Sequence, residues 1–283
     1  LSPVQGGGVF NSLVRASDSN MFLQNDLGLL SKFSSVPLAS VSSNALTGHV
    51  VTLMKSHRQD RSKQGRNLGI LCDLISKGDA GEVLSFIHDH NEGIELIESL
   101  DDSKLETILI EGFENLRKAE MVEDALSTLN DFRVLCAHNL GRYGVDQWNE
   151  RAKYSMKSSE ETFSPIVVRT NDYGLDLFNG DDGVQKGEKA YFSKGGGVRE
   201  VAKSRLSFTS PGFALSIHRS QGSEYGRVLL VLPPPEAKLL SRELLYVAVS
   251  RAKQGIVLVG DSESLASAVK QVGEVQAGVA ELI

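Results

Sequence analysis

The last quarter of the chain reads as strand, helix, strand, helix. Residues 228–232 and 256–259 are apolar runs, and 241–253 and 262–271 hold apolar residues at helical spacing. Strands that alternate with helices build a mostly parallel sheet, so the expected class is α/β. The alternation extends upstream. Residues 48–54 read as a strand, and Asn67 opens a helix with Leu68, Leu71, Leu74 and Ile75 on one face, stopped by Gly78. Residues 82–88 and 104–118 read as helices, and 132–137 as a buried strand. The sole tryptophan, Trp148, sits in a helix over 145–156, and 165–170 is another strand. A short helix near 26–33 is the main signal in the Ser-rich first 46 residues.

Between 171 and 206 the texture changes. Glycines rise, charges alternate, and short β runs at 190–192 and 198–201 are separated by turns such as Asn179-Gly180. This predicts a small β module inserted into the α/β domain. Ser210-Pro211 then has the chemistry of an N-cap and first helical position, which predicts a helix running through His218.

At 283 residues the chain can form one large domain or two smaller ones. Its apolar runs fall short of the 18 or more residues a membrane helix needs, and its start lacks a secretory pattern. The two cysteines, Cys72 and Cys136, lie in apolar surroundings and read as reduced thiols of a cytoplasmic protein. No metal-ligand spacing appears. The net charge of −6 is unevenly placed. Residues 77–131 hold 15 acidic and 4 basic side chains, which leaves a balance of +5 elsewhere, compatible with phosphate contacts. The acidic block is either a solvated helical face or a partner-docking segment.

Two blocks concentrate the chemistry. The first, Ala214-Leu-Ser-Ile-His-Arg-Ser-Gln-Gly-Ser-Glu-Tyr225, sets His218, Arg219, Gln221 and Glu224 around a Ser220-Gln-Gly-Ser223 turn that Gly222 permits. The second, Ser241-Arg-Glu-Leu-Leu-Tyr-Val-Ala-Val-Ser-Arg-Ala252, puts Arg251 in line with Leu244, Val247 and Ala248 on the apolar side of its helix. A buried arginine needs anionic company, and a guanidinium matches phosphate bidentately. The same position suits an arginine at a helix C-terminus paired with a carboxylate. Arg58, in Ser56-His-Arg-Gln, follows directly after a strand, where α/β folds place ligand-binding loops. A third block, residues 168–182, opens Val168-Arg-Thr-Asn171 and runs through Phe178-Asn-Gly180, which is also an ordinary hairpin turn. In a fourth, residues 133–149, His138 and Asn149 read chiefly as core or capping groups.

These blocks resemble motifs V and VI and neighbouring stretches of the RecD family (exodeoxyribonuclease V alpha subunit) of superfamily 1 DNA helicases. The resemblance covers residues 130–283 best and 47–80 less closely. It implies a RecA-like second motor domain over 47–170 and 207–283, an acidic helical segment at 77–131 and an SH3-like β insertion at 171–206. Residues 1–46 would be a remnant of the first motor domain and linker. It further implies that Arg58 and Arg251 act catalytically as arginine fingers, and that Glu224, Gly222 and Gln221 face the nucleotide. His218, Ser220, Asn171, Asn179 and Phe178 would face single-stranded DNA. Gln59 stands where the family carries an aromatic.

No G-x-x-x-x-G-K-[ST] loop occurs, and no Asp-Glu pair follows a strand to hold Mg²⁺. Leu1-Ser-Pro-Val-Gln-Gly-Gly-Gly resembles the tail of the family's motif III, and the chain begins without methionine. The expectation is the motor half of a 5′→3′ helicase lacking its N-terminal motor domain, inactive alone. Its parent would use ATP and Mg²⁺ and join RecB- and RecC-like subunits in double-strand-break repair. The alternative is a standalone single-stranded-DNA-binding or complex-assembly module with a decayed motor.

Overall fold

In the computed structural model, residues 21–33, 39–40, 62–90, 92–237 and 239–273 are described. The expected strand at 48–54 and Arg58 lie outside them. The chain divides into two units, Leu1–His57 with Gly273–Ile283, and Arg58–Val272. In the first, strand β1 (Met21–Phe22) pairs in parallel with β2 (Ala39–Ser40), and α1 spans Gln24–Leu30.

The second unit is built on a parallel five-stranded sheet. Its strands are β3 (Ile94–Ile97), β4 (Phe132–Cys136), β10 (Ala214–Ser216), β11 (Tyr225–Val231) and β12 (Ala252–Val259). Their spatial order is β10-β4-β11-β12-β3. Every residue of β4 and β10 is buried, as in a parallel sheet covered on both faces. Cys136 lies fully buried in this sheet, and both cysteines are free, as read from sequence. The expected α/β class is what the chain adopts.

Helix α2 (Lys63–Lys77) begins four residues before Asn67. Ser62 caps it by accepting from the Gly65 N–H at 3.0 Å, while Asn67 is buried and its Nδ2 donates to the Glu92 carbonyl. Gly78 ends it as expected, left-handed at φ 83°. Helix α3 (Ala80–Asp89) is capped by Asp79. The helix expected over 104–118 is broken into α4 (Lys104–Gly112) and α5 (Glu114–Lys118). The break seats the Phe113 ring in the core, edge-on to Phe132 and Phe213 at 5.0 and 5.1 Å. Helix α6 (Val122–Ser127) precedes β4, and α7 (Val145–Ser155) buries Trp148.

A second, antiparallel sheet has the order β8-β7-β6-β5-β9. It comprises β5 (Ser164–Val168), β6 (Asp182–Lys186), β7 (Lys189–Lys194), β8 (Gly197–Ala202) and β9 (Thr209–Pro211). It carries a small core of its own, including Ile166, Leu177, Phe192 and Val201. The β texture at 171–206 is therefore real, but the sheet recruits one strand from each side of it. Ser210-Pro211 opens no helix: both pair with β5. Tertiary pairing overrides the cap chemistry here, because the Asn149 carboxamide also holds both backbone groups of Ala214, at 2.9 and 3.1 Å, so they are not available to a helix. The chain returns through α8 (Arg242–Val249) and α9 (Ser262–Lys270), capped by Ser241 and Asp261.

Candidate functional site

The segment 217–224 joins two strands that are not neighbours. β4 lies between β10 and β11, and Ser216 and Val231 both pair with Cys136. Tyr225 starts β11 six residues before Val231. At about 3.3 Å per residue the connection must fall back roughly 20 Å along the sheet. His218 and Arg219 thus lie at the carboxyl end of β10, and Glu224 at the amino end of β11. One short segment links the two ends of the parallel sheet.

Its turn is closed by Ser220, which is fully buried and donates its hydroxyl to the Ile217 carbonyl at 2.7 Å. Ser220 therefore holds the turn from inside the protein. Gly222 follows in the left-handed region at φ 91° with open space around it, and Gln221 beside it is exposed. His218 is half-buried, and burial holds its pKa below the ordinary 6.5.

At the amino end, Arg251 and Glu224 come together. Arg251 is 4% exposed. Its Nε donates to the Val247 carbonyl at the end of α8, Nη1 to the Ser223 carbonyl at 3.1 Å, and Nη2 to the Ser250 hydroxyl. Its own carbonyl accepts from the Tyr225 N–H at 2.8 Å. The Glu224 carboxylate pairs with Lys253 at 2.9 Å. Arg251 thus staples the turn that carries Glu224 to the end of α8. An arginine and a carboxylate held this way can meet phosphate and hydroxyl groups of a nucleotide respectively.

The loop before β6 brings Asn171, Phe178 and Asn179 together. The Asn179 N–H donates to Asn171 Oδ1 at 2.8 Å, and Asp172 and Leu177 exchange backbone hydrogen bonds. Phe178 meets Tyr173 edge-on at 6.1 Å, and Lys194 Nζ lies 4.9 Å from the Phe178 ring centre. Tyr173 is 79% exposed and Phe178 38%. Two open aromatic rings beside a cation suit base stacking.

Sequence reasoning missed Arg133. Buried to 1% exposure inside β4, it pairs with Asp182 of β6 at 3.0 Å and lies 5.1 Å from the Tyr225 ring centre. It thereby ties the parallel sheet to the antiparallel one. The clue was an arginine in the middle of an apolar strand. Also missed was a cleft of about 420 Å³ at the carboxyl end of β10, lined by Asn139, Asp146, Glu150, Arg169, Ser216 and Arg219 among others. Asn149 holds the backbone of β10, which fits the core role read for it. Among the described residues no three His, Cys, Asp or Glu side chains gather to hold a metal ion. No helix among them is long and apolar enough to cross a membrane.

Residues 211–259, from the end of β9 through β12, match the UvrD-like helicase C-terminal domain. The RecBCD enzyme subunit RecD of Mycobacterium tuberculosis is 36% identical over 248 residues, 81% of this chain and 41% of that protein. The protein of the same name from Mycolicibacterium smegmatis is 34% identical, covering 83% of this chain and 45% of its own length. The ATP-dependent RecD2 DNA helicase of Deinococcus radiodurans is 29% identical over 58% of this chain and 25% of that one. A solved Pif1 helicase chain is 13% identical with a TM-score of 0.42, over 89% of this chain and 59% of that one. The chain spans less than half the length of these three relatives. Both motif-bearing turns fall inside the matched domain, and the chain belongs to the RecD family.

Proposed function

We propose that this chain is the second motor half of an ATP-dependent 5′→3′ DNA helicase of the RecD type, working with RecB- and RecC-like subunits in double-strand-break repair. The observation that carries it is the pairing of Arg251 with the Glu224 turn at one end of a sheet, joined through the eight-residue segment 217–224 to His218 at the other. Arg251 and Arg58 would stabilise charge on the transferring phosphoryl group, and Glu224, with Gly222 and Gln221 shaping its turn, would take the nucleotide sugar. These residues supply one side of a nucleotide site. The phosphate-cradling loop and the carboxylates for Mg²⁺ would come from a first motor domain.

The strand would run past His218 and the 171–179 loop, stacking on Phe178, with the antiparallel sheet as the SH3-like insertion. Because 217–224 reaches both ends of the sheet, a shift at the nucleotide end moves the strand end with it. The test is Arg251→Ala in the whole polypeptide that contains this chain. ATP turnover stimulated by single-stranded DNA should fall about 10³-fold or more. Turnover within tenfold of the parent, in a variant that still folds, sinks the reading.

A further inference from the structure

We propose that Arg169 and Arg219 together grip one phosphodiester of a single strand in the cleft at the carboxyl end of the parallel sheet. The inference rests on the strand-binding reading above and adds a site to it.

The two arginines reach the same cleft of about 420 Å³ from different sheets. Arg169 follows directly after β5, and Arg219 lies in the turn after β10. Several other arginines are committed elsewhere: Arg133 to Asp182, Arg142 to Asp101 and Arg242 to the Val269 carbonyl. Among the described residues, neither Arg169 nor Arg219 makes an ion pair or a side-chain hydrogen bond. Burial and the nearby Arg169 both push the Arg219 pKa below its ordinary value, so the two charges repel at close range. Like charges collected in a partly desolvated cleft are costly unless an anion sits between them. A phosphodiester suits, because each guanidinium can fork onto its oxygens.

Asp146 and Glu150 of α7 also line the cleft; they repel phosphate and can accept from the exocyclic amino groups of a base. Asn139 and Ser210 add uncharged hydrogen-bonding groups to the lining. The cleft lies within the size range of small-ligand pockets. One nucleotide unit fits that description: phosphate towards the arginines, base towards α7.

The experiment is binding of a fluorescein-labelled oligodeoxycytidylate to this chain across a salt series. Each phosphate contact on a single strand contributes about 0.7 to the slope of log K against log salt. Arg169→Gln and Arg219→Gln should each weaken binding about tenfold and lower the slope by about 0.7. The double variant should lose little more than either single, because both side chains hold one phosphate. Arg169→Lys and Arg219→Lys should keep the slope while losing part of the affinity, since a point charge lacks the fork. Arg205→Gln, on an exposed arginine outside the cleft, should change neither. A thermal melt of each variant separates lost contact from lost fold, and the exposed Arg169 series stands if Arg219→Gln is unstable. Strand binding with unchanged slopes in both Gln variants, or equal losses in Arg205→Gln, overturns the clamp and leaves strand binding intact. No strand binding by the parent chain overturns the strand reading, and the clamp with it.

Discussion

Individual side chains in the turn after β10 divide into holders and presenters. Ser220 is spent inside the protein, closing the turn, whereas Gln221 and Gly222 are exposed beside it. Both kinds fall within one polar stretch, so residue type alone does not separate them; burial does. His218 sits between the two and leads to a pH test. Burial holds its folded pKa below 6.5, so the unfolded chain takes up a proton that the folded one resists. The stability tied to His218 is complete above the unfolded value and falls as pH drops through about 6.5 towards the lowered folded value. His218→Gln should therefore flatten the fall in urea midpoint between about pH 7.5 and 5.5. A slope equal to that of the parent would show that the ring titrates as if open to water.

Among elements, those whose signal is local were legible in sequence. Both ends of α9 and the end of α2 at Gly78 fall close to where caps and periodicity place them, because a cap and an apolar stripe act within a few residues. Helix α2 instead begins four residues before Asn67. Helix α8 stops at Val249, short of the expected 253, so Arg251 follows the helix rather than lying on its apolar side. The failures share a cause. Helix 104–118 breaks because the Phe113 ring is wanted by Phe132 and Phe213, far along the chain. The expected helix at Ser210 becomes β9 and β10 because Val167 and Asn149 supply partners from outside the segment. The link between sheets through Arg133 and Asp182 is non-local in the same way, and it is testable. Asp182→Ala leaves a buried guanidinium without its carboxylate, and should cost about 3 kcal/mol in chemical denaturation. A loss below about 1 kcal/mol would mean that the Leu129 and Gly212 carbonyls already satisfy Arg133.

At the scale of the whole molecule, the sequence holds no G-x-x-x-x-G-K-[ST] loop, and the proposed nucleotide contacts, Arg251 just past α8 and Glu224 in the neighbouring turn, make up one wall of the proposed site. The 283-residue chain by itself should show no ATP turnover above background in a phosphate-release assay. Turnover that disappears on Arg251→Ala would overturn this. By itself the sequence determined the α/β class, the strand-helix alternation of the last 60 residues or so, and the two blocks that carry the family resemblance. These are written in periodicity and in contiguous motifs. Only the tertiary structure decided that β4 lies between β10 and β11, so that eight residues span both ends of the sheet. It likewise decided that Arg169 and Arg219 share one cleft. Periodicity reports which face of an element is buried; which strands become neighbours, and at what register, is set by contacts between residues distant in the chain.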